Sequence, residues 1–223
     1  VGRFGTKFAG LKGLIDGRLA LGLRSEFLRY GLRRDITVPH ANPPAKIPIS
    51  IRLLEDRDVP LILPERAPEL DPRERVLIAW RRSFLKKVPQ GCHVAIDERN
   101  GKPCYMQWLL PASKNDLILS LGGFPALGPR ESLLENAFTP VEYRGLGIMS
   151  AAMALIAERA VIHDATHVLT FVGDDNIASL KGCQKAGFNP HLINRRVQLQ
   201  WGMLNRNTFE VMADDDPRRT QKF

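Results

Sequence analysis

The chain predicts an α/β fold over residues 49–212, and three observations carry that prediction. From residue 132 onward, apolar runs of strand length alternate with longer runs of helical period. A hairpin with an Asn-Gly turn, Asn100-Gly101, precedes them. Between residues 139 and 150 a glycine-containing loop joins a predicted strand to an apolar helix. In front of this body lie a basic arm at 1–37 and a proline-rich linker at 38–48; a charged tail follows at 213–223. The tail predicts a frayed end.

The 223 residues carry 32 Lys+Arg against 24 Asp+Glu, for a net +8, with 44% hydrophobic content. That length suits one core with an appendage, since single domains usually hold roughly 100–200 residues. Arginine, glycine or proline interrupts every apolar stretch before the roughly 20 residues that a membrane span requires. Cys92, Cys104 and Cys183 are odd in number and widely spaced, which excludes a closed disulfide framework and a C-x-x-C site. The cytoplasm is the compartment this cysteine usage predicts.

The elements of the body follow in order. Residues 49–54 alternate as a strand, and Glu55 to Asp58 supply turn and helix-start signals for a short helix before Pro64. Residues 71–87 have helical spacing: Asp71 is placed to cap, Pro72 suits the first turn, and Val76, Leu77, Trp80 and Phe84 share a face. Strands at 92–97 and 103–110 flank the Asn-Gly turn. Residues 111–130, rich in Gly and Pro, predict a long loop interrupted by a short strand at 117–121. A strand at 132–139, a helix at 146–162, a buried strand at 167–172 and a helix at 176–186 ending at Gly187 complete the alternation. Strands at 195–204 and 208–212 close the body.

Charge separates the arm from this body. Residues 1–37 hold eight basic and three acidic side chains, so they contribute +5 of the total charge. Phe4, Phe8, Leu11, Ile15, Leu19, Leu23, Phe27 and Tyr30 recur every three or four residues and predict a basic amphipathic helix, although seven glycines weaken it by roughly 1 kcal/mol each. Such an arm suits an anionic membrane surface or an acidic partner protein. The same face could pack on its own domain or on a neighbouring subunit in a homodimer. No interleaved ladder of aromatic and basic residues supports nucleic-acid binding.

The most informative segment runs Thr139-Pro-Val-Glu-Tyr-Arg-Gly-Leu-Gly-Ile-Met-Ser150. A strand that turns through two glycines into a helix leaves backbone N–H groups free at a positive helix end, which favours an anion. Ser150 rules out a Gly-x-Gly-x-x-Gly dinucleotide fingerprint, and no Gly-Lys-Ser/Thr ending exists. A second segment, Asp174-Asp-Asn-Ile-Ala-Ser-Leu-Lys-Gly-Cys-Gln-Lys-Ala-Gly-Phe188, follows some thirty residues on. Together the two resemble the GNAT superfamily of coenzyme-A-dependent N-acyltransferases. Arg144-Gly-Leu-Gly-Ile-Met149 is similar to its R-x-x-G-x-G/A loop, and Asn176-x-x-Ser179 with Lys185-Ala-Gly-Phe188 is similar to its N-x-x-A/S and closing K-x-G-F. The resemblance is strongest over 131–188 and does not cover the arm.

The resemblance implies a mixed, mostly antiparallel central sheet with helices on both faces and a splay between two central strands. It implies that backbone groups of Ala137, Phe138 and Thr139 pair with pantetheine. The loop Gly145, Leu146, Gly147, Ile148, Met149 and Ser150 would face the coenzyme A pyrophosphate, with charge added by Arg144. Asn176 and Ser179 would hold the pantetheine arm from the second helix. Two positions depart from the pattern. Met149 stands where Gly or Ala is usual, and Cys183 stands where a tyrosine often protonates the leaving thiolate. A thiol of ordinary pKa near 8.5 can serve as that acid.

Transfer to an amine also needs a base. Glu135, set in an apolar strand, is the preferred candidate, with Glu131 beside it and Glu142 in the loop; each could equally be a solvated carboxylate. His163 and His167 sit four apart but across a helix end, and Asp174 and Asp175 precede a helix as capping residues do, so no metal site is expected. Trp80, Trp108 and Trp201 are read as core or pocket wall, with Trp108 and Gln107 as candidates to line an acceptor site. The expected activity is transfer of an acyl group, acetyl first, from acetyl-CoA to a primary amine of a small molecule or peptide. It would proceed by direct attack in a ternary complex, with positioning and backbone N–H groups supplying most of the catalysis. A longer acyl chain on an acyl carrier protein and a non-catalytic acyl-CoA-binding module are the alternatives.

Overall fold

The computed structural model describes residues 24–199 and 204–223. Eight strands form one sheet: β1 (Arg24–Asp35), β2 (Ile49–Leu53), β3 (Cys92–Asp97), β4 (Lys102–Pro111), β5 (Glu131–Phe138), β6 (His167–Gly173), β7 (Asn189–Leu199) and β8 (Leu204–Val211), in the order β2-β3-β4-β5-β6-β1-β7-β8. Every neighbouring pair is antiparallel except β5 and β6. Helices α1 (Val59–Ile62), α2 (Pro72–Lys87) and α3 (Asn115–Leu121) cover one face, packing Ile62, Ile78, Phe84 and Ile118 around Trp108 and Leu133. Helices α4 (Ile148–Glu158) and α5 (Ile177–Lys185) cover the other, around Tyr105, Leu134 and Phe188. A mixed, mostly antiparallel sheet with helices on both faces is the predicted class.

The arm departs most from expectation. Over residues 24–35 it is a strand, not a helix, inserted between β6 and β7. The reason is a second periodicity in the same residues. Leu28, Tyr30 and Leu32 alternate toward the α4–α5 face, and Tyr30 and Leu32 are buried there. Gly31, which weakens a helix, suits this strand, since a Cβ there would lie 2.6 Å from the Leu192 side chain. With pairing available on both edges, period 2 prevails over period 3.6. The amphipathic helix expected over residues 1–23 lies outside the described residues, as does Trp201.

Residues 38–48 have no regular structure but do not hang free as a linker would. Lys46 N–H donates to Leu146 O at 2.8 Å, Ile47 is buried, and the His40 ring bonds Lys185 O at 3.1 Å. Residues 115–121 are helix rather than strand. The edges of β4 and β5 are already taken, and Asn115 fixes the helix start by bonding both N–H and C=O of Leu127 at 2.9 Å. The apolar helix from 146 ends at Glu158 and tightens into a 3-10 turn, Arg159–His163. β7 begins six residues earlier than expected, and the tail is docked. Phe223 packs edge-on to Tyr30, and Gln184 bonds backbone groups of Gln221 and Phe223. Among the described residues no helix is long and apolar enough to cross a membrane.

Candidate active site

The site begins where one pair of strands parts. β5 and β6 are registered only from Glu131–Leu133 against His167–Leu169; past Leu133 they separate. A bulge in β5 opposite Gln107 shifts its register against β4. Asn136 at the bulge has φ 61°, a left-handed conformation that costs an ordinary residue about 1 kcal/mol and that Asn tolerates best. Its amide oxygen and nitrogen are both buried without a protein partner. An unpaired buried amide costs about 1–3 kcal/mol, so the bulge holds donor and acceptor capacity that no protein group uses. The space between the strands is a cavity of about 240 Å³ lined by Glu135, Asn136, Gln107, Thr170, Asn176 and Cys183 among others.

Glu135 projects into that space. Burial pushes its carboxyl from 4.5 up to about 7, while the Arg29 guanidinium, 3.6 Å away, and the Asn136 N–H pull the other way. Arg29 comes from β1, stacks 5.2 Å from both the Phe124 and Phe171 rings and donates to Gly123 O. Cys183 reaches the same cavity from α5 but is fully buried, and burial pushes its thiol up to about 12. Proton transfer from so weak an acid to a departing thiolate of ordinary pKa, near 8.5, is uphill. Burial thus works against the acid role expected of Cys183, an expectation that assumed an ordinary thiol.

Beyond the splay the cavity continues into a groove of about 730 Å³. Ala137, Phe138 and Thr139 form one wall, Arg144, Gly145, Gly147, Ile148, Met149 and Ser150 a second, and Asn176 and Ser179 a third, so the structure gathers these predicted residues in one place. Leu146 lies in the same loop, its carbonyl bonded to Lys46 N–H. Gly145 and Gly147 have φ of 77° and 74°, which turns the chain into α4. The first-turn N–H groups of Ile148, Met149 and Ser150 have no intrahelical acceptor, an arrangement that favours an anion. Met149 is accommodated by Gly182, whose missing Cβ leaves room for its sulfur and methyl.

Four predicted contact groups are already occupied. Asn176 caps α5, accepting from Ser179 N–H at 3.2 Å. Arg144 forms a two-bond ion pair with Glu74 of α2 at 2.9 and 2.7 Å and donates to Thr139 O, so its charge is shared with a carboxylate. Ala137 O accepts from Arg81 of α2 at 2.9 Å. The strand carbonyls expected to be open are thus held by two arginines that sequence spacing does not single out for this role.

Other candidates fall away. Glu131 bonds Gly128 N–H at the far end of β5, and Glu142 is exposed in the loop and absent from the lining of the splay cavity. Trp108 is a core residue, packed edge-to-face 4.9 Å from Phe84 with its N–H on Val88 O, whereas Gln107 lines the splay and accepts from the Tyr105 hydroxyl. Trp80, read as core or wall, is 53% exposed and stands at the cavity rim. His167 faces Asp35 at 3.7 Å, and Asp174 and Asp175 line a separate surface groove beside Arg29. Arg29 was hidden in the arm; the alternation of Leu28, Tyr30 and Leu32 is the signal that would have found it.

No family model and no curated protein matches the chain. Solved structures do. An acetyltransferase of the GNAT family from Colwellia psychrerythraea aligns with 84% of this chain and 57% of its own, at 14% identity and TM-score 0.50. A GCN5-related glucosamine N-acetyltransferase region in a fungal multi-domain GH3 beta-N-acetylglucosaminidase aligns with 84% of this chain and 22% of its own, at 14% identity and TM-score 0.51. A tandem GNAT protein from the clavulanic acid biosynthesis pathway aligns with 88% of this chain and 58% of its own, at 17% identity and TM-score 0.48. The chain spans less than two thirds of the length of these proteins. The fold is the GNAT fold, with its splay between β5 and β6.

Proposed function

We propose that the chain is an N-acyltransferase that takes acetyl from acetyl-CoA and delivers it to a primary amine. One observation carries this reading: a largely enclosed carboxylate side chain, Glu135, stands in a splay continuous with a groove at a glycine-turned helix start. The residues fit the co-substrate. The Ile148–Ser150 N–H groups suit its pyrophosphate, and the unpaired Asn136 amide suits a polar group of its pantetheine or thioester. Glu135, half ionised at neutral pH, is matched to accept an ammonium proton directly or through water. Arg29 keeps part of its population charged. The weak acidity of Cys183 leaves protonation of the product thiolate to the proton that the attacking amine releases.

The test is direct. Acetyl-CoA at saturation should raise the melting temperature by several degrees, and free thiol should appear only when an amine is added. Ligand stabilisation without amine-dependent thiol release would favour the second reading, a non-catalytic acyl-CoA-binding module, for which the fully buried Cys183 thiol is the supporting observation. Turnover with acyl carrier protein but not with acetyl-CoA would change the donor and keep the reaction class.

A further inference from the structure

Arg81 is the residue this scheme leaves unused. It projects from α2 to the point where the groove meets the splay, and it lines both. Its Nη1 donates to Leu77 O at 3.1 Å and its Nη2 to Ala137 O at 2.9 Å. Its Nε is buried with no partner. The guanidinium lies 4.5 Å from the Phe138 ring and 5.7 Å from that of Trp80. We propose that Arg81 recognises a carboxylate on the reacting substrate, so that the site transfers either a dicarboxylic acyl group or an acyl group onto an amino acid.

The charge around Arg81 is unbalanced. Among the described residues no carboxylate lies within 4 Å of Arg81, and the acidic groups around it are spent elsewhere. Glu74 is paired with Arg144, and Glu135 faces Arg29. Burial accordingly pulls the Arg81 pKa down to about 10, with the Arg144 charge acting in the same direction and Glu74 against it. A desolvated cation without a counter-ion is costly, and the cost is relieved when an anion enters. A peg needed only to hold the Ala137 carbonyl has no use for a permanent charge. The planar guanidinium fork matches a carboxylate in two bonds.

Position selects the anion. The pyrophosphate has its own cradle at the start of α4, whereas Arg81 also borders the cavity that holds Glu135. The carboxylate therefore belongs a few bonds from the transferred acyl carbon, on the donor or on the acceptor. This inference rests on the acyltransferase reading, and calorimetric titration separates the two. Acetyl-CoA is compared with succinyl-CoA, and glycine with glycinamide in the presence of coenzyme A.

The native chain should bind the carboxylate-bearing member of one pair at least tenfold more tightly. A preference in the first pair assigns the carboxylate to the donor, and one in the second to the acceptor. Arg81→Met should bring the ratio to within about twofold while coenzyme A affinity stays within threefold. Arg81→Lys, which keeps the charge without the fork, should retain part of the preference and carries the test if Arg81→Met fails to fold. Coenzyme binding with equal affinities in both pairs, or a preference that survives both substitutions, overturns the role of Arg81 alone. Failure to bind coenzyme A at all overturns the acetyl-CoA reading on which this inference rests, and the inference with it.

Discussion

Glu135 illustrates how much a single residue's chemistry depends on neighbours far away in sequence. Its apolar flanks, Leu133, Leu134 and Ala137, marked it within the chain, but its partner Arg29 comes from a strand a hundred residues earlier. With its carboxyl raised to about 7, the rate of amine acylation should climb with pH through neutrality as Glu135 ionises. Glu135→Gln should flatten that limb and lower kcat by about 10²–10⁴, read from a pH–rate profile. Arg29 pulls the carboxyl pKa down, so Arg29→Met should move the limb to higher pH, whereas a residue that only packs would leave its position unchanged. A linked effect on stability has the opposite slope. Between 4.5 and 7 the native state holds a proton that the unfolded chain has lost, so stability falls as pH rises through that window. Glu135→Gln should remove this fall in melting experiments. Arg81 was not legible at all, because nothing in helical spacing shows that a solvent-side arginine can reach back to the sheet.

Among the elements, the turn from β5 into α4 was the most legible, since two glycines before an apolar helix admit few structures. The structure adds what the motif could not show, namely that the loop is braced from behind. A Cβ on Gly147 would meet Pro44 O at 3.3 Å, and its φ of 74° is strained for any L side chain. Gly147→Ala should therefore cost about 1–2 kcal/mol of stability and weaken coenzyme A binding several-fold, as read by thermal melts and calorimetry. Residues 117–121 show the opposite case. A short apolar run carries no period that separates strand from helix, and the outcome was decided by sheet edges already filled and by Asn115 clasping Leu127. In the strand–helix alternation from β5 to α5, local pattern and tertiary packing agree, so those elements could be placed from sequence.

The largest change concerns the molecule as a whole. Part of the charge that the sequence assigns to an external arm lies within the sheet. Arg34 is 3% exposed and bonds Ala154 O, Ala186 O and the Glu158 carboxylate, tying the ends of α4 and α5 to β1. Deletion would remove this buried, bonded cation together with the core side chains of Tyr30 and Leu32, of which the fully buried Leu32 alone is worth about 2 kcal/mol. Deleting residues 1–37 should therefore abolish the cooperative thermal transition rather than spare coenzyme binding, as circular dichroism would show. Strand insertion was hidden because pairing partners at 167–173 and 189–199 are invisible to any local window. The same arrangement constrains how the protein is made. During synthesis β1 emerges well before both of its neighbours, so the middle of the sheet must wait, unzipped, until the last third of the chain arrives. Such long-range closure slows folding and leaves two strand edges exposed in the interval. A chaperone that shields residues 24–35 would act at the step where this fold is most vulnerable.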